Sequence, residues 1–189
     1  MKIKFDSPDM SYVLLGRDQE KISHRFREEL KKSNQLVMAV GIITLESLQK
    51  LEKLIEIYQI KKVCLILGIY SVIPLPDQLN NLVLEINERW KREGRGEIRL
   101  FHSYLFMGNF CCFINNNQIF SSLFGTFHLD FLMNQRKPLE EEDETEWETL
   151  VKDPDILENI LEHSNEIKSK VISKNVVETL KQKIIQKKT

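Results

Sequence analysis

Nothing in this chain approaches the roughly 20 consecutive apolar residues that a membrane-spanning helix requires, so no membrane role is expected. Cysteine is scarce. Cys64, Cys111 and Cys112 form an odd set of three without metal-ligand spacing, which argues against a disulfide framework and against a zinc site. All three read as reduced thiols. Net charge is nearly absent as well. A formal value of −1 gives no bulk attraction for nucleic acid, so only local patches can steer a polyanion. The opening MKIKFDSPDM has no apolar stretch after its lysines, so no signal peptide is expected and a cytoplasmic location follows by default. No internal repeat occurs. Ser121 and Ser122 have no Asp and His arrangement that would make a serine hydrolase persuasive.

What is present is enough apolar material for a core: 42% of 189 residues, the size of one ordinary domain with room for an extension. Charge is segregated along the chain. Residues 138–162 hold eleven acids and one lysine, whereas residues 166–189 hold seven lysines and two acids. The run EEEDETE reads as a solvated loop rather than a metal site.

Periodicity orders the first hundred residues. Ile22, Phe26 and Leu30 recur at helical spacing on one face of GRDQEKISHRFREELKKSNQ. LVMAVGII is a short continuous apolar run, the signature of a buried strand. Thr44, with Ser47 three residues on, is placed to cap a helix whose stripe is Leu48, Leu51, Leu54 and Ile55. KKVCLILGIY is a second buried strand closed by Gly68. Pro74 and Pro76 break structure, and Asp77 is a candidate cap for QLNNLVLEINERWKREG. EIRLFHS is a third strand. Strands alternating with helices predict a mostly parallel sheet covered on both faces. Beyond His102 two apolar runs, YLFMGNFCCFI and QIFSSLFG, flank the turn signal NNN, so a hairpin should make the sheet mixed. ETEWETLV is a further strand candidate, and Asp153 or Asp155 opens a helical region. The division expected is an α/β domain over residues 1–152 and a helical C-terminal extension with a basic tail over residues 153–189.

The element order and the residues His102-Ser103-Tyr104 and Gly125-Thr126-Phe127-His128 give the chain its one family likeness. It resembles a phospholipase D-like domain of the type found in NgoFVII-type restriction endonucleases, over roughly residues 12–152. In that family a strand leads into His-x-Lys, a hairpin follows, then a Gly-Ser-x-Asn turn, with an acid further on. The resemblance implies that His102 stands for the histidine nucleophile and Ser103 for the intervening residue. Tyr104 replaces the lysine. Gly125 and Thr126 match the Gly-Ser pair, and His128 replaces the asparagine. Glu146 is the candidate downstream acid, with Glu148 as its close rival.

The implied chemistry is metal-free and cofactor-free phosphodiester hydrolysis through a covalent phosphohistidine. A second motif's histidine protonates the leaving oxygen, so the resemblance implies a homodimer, or a heterodimer with a related subunit, acting on DNA. Lysine and asparagine neutralise the phosphate oxygens, and loss of one such donor costs on the order of 100- to 1000-fold in rate. Phosphate contacts from Lys181, Lys183, Lys187 and Lys188 in the basic tail are a further candidate.

Plainer readings stand beside these. His102 can be a hydrogen-bonded structural residue, Tyr104 a packing residue, His128 a turn or helix cap, and Gly125 a backbone requirement. Three functions therefore remain open: a nuclease, a degenerate phospholipase D-like subunit that binds DNA or an active relative, and an α/β interaction module.

Overall fold

The computed structural model describes residues 12–15, 19–70, 72–103, 106, 108–125, 128–133 and 147–179. Their elements run β1 (Tyr12–Leu15), α1 (Gln19–Lys32), β2 (Gln35–Val40), α2 (Leu45–Ile57), β3 (Lys62–Leu67), α3 (Asp77–Arg92), β4 (Gly96–Phe101), β5 (Asn109–Asn115), β6 (Gln118–Gly125), α4 (Leu129–Leu132), β7 (Trp147–Val151), α5 (Pro154–Ile167) and β8 (Ser173–Asn175). One sheet joins all eight strands in the order β1-β7-β6-β5-β2-β3-β4-β8.

The sheet is mixed, as the hairpin signal implied, but it is not mostly parallel. Only β2–β3 and β3–β4 pair in parallel; the other five pairings are antiparallel. The reason is local. Among the longer helices only α2 and α3 connect strands that lie side by side in the sheet, and a parallel pair of consecutive strands requires such a crossover; α1 and α5 join strands that are not neighbours. After β4 the chain crosses back to β2 and continues as a meander.

Helices cover both faces. β2, β3 and β4 succeed one another in one direction across the sheet, so right-handed crossovers place α2 and α3 on the same side. There Leu48, Leu51 and Ile55 of α2, Val83, Ile86 and Trp90 of α3, and Phe26 and Leu30 of α1 pack on Leu36, Met38, Leu65 and Phe113. Phe26 meets Phe113 edge-on with ring centroids 5.8 Å apart. Each such aliphatic side chain, once fully buried, contributes about 1.5–3 kcal/mol. On the other face Ile167, Ile160 and Leu161 of α5 pack on Val37, Ala39, Ile66 and Cys112.

Thr44 caps α2 in a full capping box with Ser47, and Asp153 caps α5 by accepting from the amides of Asp155 and Ile156. Asp77 is not a cap: it is the first residue of α3, and Pro76 occupies the cap without a side-chain bond. Proline's fixed φ and missing N–H suit the start of a helix, so the carboxylate is left to face the helix dipole. The hairpin turn holds Asn116 and Asn117 at φ of 51° and 65°, the left-handed pair that a two-residue β-hairpin needs and asparagine tolerates.

Past Lys152 the chain stays on the sheet. After α5, β8 pairs with β4. The buried Arg99 side chain donates through Nε to Ser173 Oγ at 2.9 Å, while Asn175 donates to Asn87 Oδ1 at 3.1 Å. Polar side chains thus fasten an edge strand of three residues.

Candidate functional site

β2, β3 and β4 run in parallel, and two antiparallel steps through β5 return β6 to the same direction. Val40, Leu67, Phe101 and Gly125 therefore end at one edge of the sheet, together with the start of β5. The segment leaving β4 crosses this edge closely. A Cβ on Gly68 would lie 2.0 Å from the carbonyl oxygen of Phe106, so only glycine admits the crossing backbone. The Phe106 ring stacks on Phe101 at 4.7 Å and meets Phe110 edge-on at 6.4 Å, which seals the crossing against the α5 face.

Hydrogen bonds order the rest of the edge. Asn109 Oδ1 accepts from the Gly41 amide at 3.0 Å in a buried contact. The Tyr70 hydroxyl accepts from the Ile43 amide at 3.0 Å and donates to the Ile43 carbonyl at 2.9 Å. Burial raises the phenol's pKa, an effect that the bond to Ile43 opposes. Thr44 Oγ1 donates to Asp130 of α4 at 2.5 Å, tying the loop after β2 to α4.

His102 lies at this edge but far along it. Its amide donates to the Ile172 carbonyl at 3.0 Å. Its Nε2 lies 3.0 Å from the Lys170 carbonyl oxygen; a carbonyl only accepts, so this bond places the proton on Nε2. Ser103 Oγ donates to the Val171 carbonyl. Both residues are thus anchored to the loop between α5 and β8.

Gly125 ends β6, and His128 is the N-cap residue of α4 without a capping side-chain bond. β3, β2 and β5 separate β4 from β6. Four interstrand steps of about 4.8 Å amount to ~19 Å. The expected meeting of His102 with Gly125 and His128 does not occur within the chain. The hairpin instead sets Asn109 opposite Gly125, and Glu148 of β7 pairs with Gly125 from the other side. Asn109 carries no motif signal in the sequence, where the histidine of the likeness lies seven residues earlier. The signal was the hairpin itself, whose open end must bring its first and last residues together.

Tyr104, Thr126, Glu146, Lys181, Lys183, Lys187 and Lys188 lie outside the described residues. Among the described residues no group of three or more His, Cys, Asp or Glu side chains could hold a metal ion, and no helix is long and apolar enough to cross a membrane.

Comparison with known proteins places this architecture. NucT from Helicobacter pylori superposes with a TM-score of 0.57 at 8% identity, covering 82% of this chain and 93% of that one. Nuc from Salmonella typhimurium, a phospholipase D family member, gives 0.54 at 12%, with the same coverage of 82% and 93%. The archaeal chromatin protein TrmBL2 gives 0.50 at 15% identity over 85% of this chain, which spans 52% of that protein. No curated protein matches the chain by sequence. The family model described as the NgoFVII restriction endonuclease N-terminal PLD domain matches residues 20–181, beyond the 12–152 of the initial resemblance. The chain belongs to the NgoFVII restriction endonuclease N-terminal PLD domain family.

Proposed function

We propose that this domain is a non-cleaving member of its nuclease family, one that contacts DNA and assembles with an active relative. The observation that carries this reading is the separation of His102, just past β4, from Gly125 at the end of β6 by three intervening strands. A nucleophile and the donors that bind the same phosphate must act within about 3–3.5 Å of the reacting atoms, whereas the separation is ~19 Å. The residue opposite Gly125 is Asn109, an amide already engaged by the Gly41 N–H and no nucleophile. The proton that the Lys170 carbonyl draws to His102 Nε2 also takes that nitrogen's lone pair out of use.

DNA contact is supported by family membership and by the shared fold of TrmBL2, whose structure is described as showing a novel mode of DNA binding. Lys181, Lys183, Lys187 and Lys188 are the proposed tail contacts. Purified protein incubated with labelled duplex DNA in EDTA should give a salt-sensitive gel shift and leave the DNA intact. Deleting residues 180–189 should weaken the shift. Light scattering of the protein mixed with an active family member should give a mass above either component. Duplex binding that is unaffected by salt, or no association with any active member, would remove the two halves of the proposal in turn.

A further inference from the structure

The edge opposite Gly41 and Asn109, where β2, β3 and β4 begin, carries a second feature. A cleft of about 320 Å³ opens there, bounded by the strand starts, the hairpin turn and the end of α5. Three cations line it: Lys62, Arg95 and Lys168. Two amide side chains, Gln35 and Asn117, complete its polar rim, and they are joined by a bond of 2.6 Å from Gln35 Nε2 to Asn117 Oδ1. No aspartate or glutamate is among its lining residues.

These charges are positioned and only partly neutralised. Lys62 Nζ donates to the Gly94 carbonyl at 2.8 Å, which fixes the ammonium at the rim and leaves its charge. Arg95 meets Glu93 through Nε at 3.2 Å; among the described residues this leaves the two terminal nitrogens of the guanidinium for a bidentate contact. Lys168 sits at the C-terminal cap of α5, where the helix dipole favours a cation. It has no ion pair among the described residues. The floor is neutral. Burial pushes the Cys64 thiol up to about 12, so the sulfur carries no charge at neutral pH. Cations beside an apolar floor act through a lower dielectric than bulk water.

We propose that this cleft binds a backbone phosphate of DNA, at the edge of the sheet opposite the family's hairpin site. Its volume lies at the small end of ligand pockets and suits one phosphodiester with its sugar. The proposal rests on the DNA-contacting part of the reading above and specifies where that contact falls.

The test uses the full chain and a fluorescein-labelled duplex, with anisotropy followed across salt concentrations. Lys62→Gln/Arg95→Gln/Lys168→Gln should weaken binding at least 10-fold and flatten the slope of log affinity against log salt by about 1, the loss of one phosphate contact. Lys62→Glu alone, a milder change to an exposed side chain, should weaken it several-fold. Lys53→Gln on α2 serves as the control and should leave both quantities in place. Amide resonances of Gly96 and Asn117 should shift on adding duplex. Wild-type binding that the triple variant and Lys62→Glu both retain would overturn the cleft alone. Absence of any wild-type binding would overturn the DNA reading with it. If inorganic phosphate saturates the Gly96 and Asn117 shifts while duplex leaves them unmoved, the cleft is a free-phosphate site and the nucleic-acid assignment fails.

Discussion

Replacing Ser121 by alanine should destabilise the protein by an amount that depends on pH. Glu29 of α1 is fully buried. Its Oε2 accepts from Ser121 Oγ on β6 at 2.9 Å, and its Oε1 lies 3.2 Å from Lys32 Nζ and 3.3 Å from Lys152 Nζ. Burial by itself raises the carboxyl's pKa, but the Ser121 bond, Lys152 and Lys32 outweigh it and hold the group below its ordinary 4.5. A group with a depressed folded pKa stabilises the fold above its unfolded value and loses that stabilisation as pH falls through the folded one. A hydrogen bond to a charged partner is worth about 1.5–3 kcal/mol. Both lysines are partly exposed and contribute less through solvent screening. Ser121→Ala should therefore cost ~2 kcal/mol at pH 7, lowering Tm by about 4–8 °C in a chain of this size. Thermal unfolding followed by circular dichroism from pH 7 down through 4.5 checks this. The gap between wild type and variant should narrow in the acid range as Glu29 protonates. A gap that is the same at every pH, or none at pH 7, would refute the assignment of a charged Glu29.

Three further outcomes follow from packing. Trp90→Ala removes a side chain that is only 1% exposed and should cost about 3–5 kcal/mol, read as a lower urea midpoint. Gly68→Ala forces a Cβ against the Phe106 carbonyl and should cost about 1–3 kcal/mol through displacement of the crossing segment; unchanged stability would show that the crossing yields freely. All three cysteines are free, yet burial raises the Cys64 thiol to about 12 and the Cys112 thiol to about 11. Ellman's reagent at pH 8 should react slowly with these thiols in the native protein and titrate three cysteines after denaturation.

The sequence was most legible where burial is continuous. The runs that became β2 and β3 are almost wholly apolar past their first residue because parallel strands flanked by crossovers are covered on both faces, and the helical stripes of α1 and α2 are regular. Thr44 was readable as a cap, and Asp153 as one of two candidate helix starts with Asp155, because such side chains bond to the adjacent backbone. The short elements were not readable. β8 is three residues, SKN, held by Arg99, Asn87 and Glu97 from distant positions, and nothing local marks them as a strand. β1 forms only by pairing with β7. The candidate site was half legible. Motif order pointed to the β5–β6 hairpin, but linear order could not show that β4 and β6 lie four positions apart in the sheet. The cleft at Lys62, Arg95 and Lys168 was invisible because it gathers residues from three separate segments.

The most direct test of the central claim is metal-independent nicking of supercoiled plasmid, measured in EDTA for the wild-type chain and for His102→Ala. A non-cleaving domain predicts that both match the protein-free background over long incubation, while the gel shift persists in both. Nicking by the wild type that survives EDTA and disappears in His102→Ala would contradict the account and restore His102 as the nucleophile.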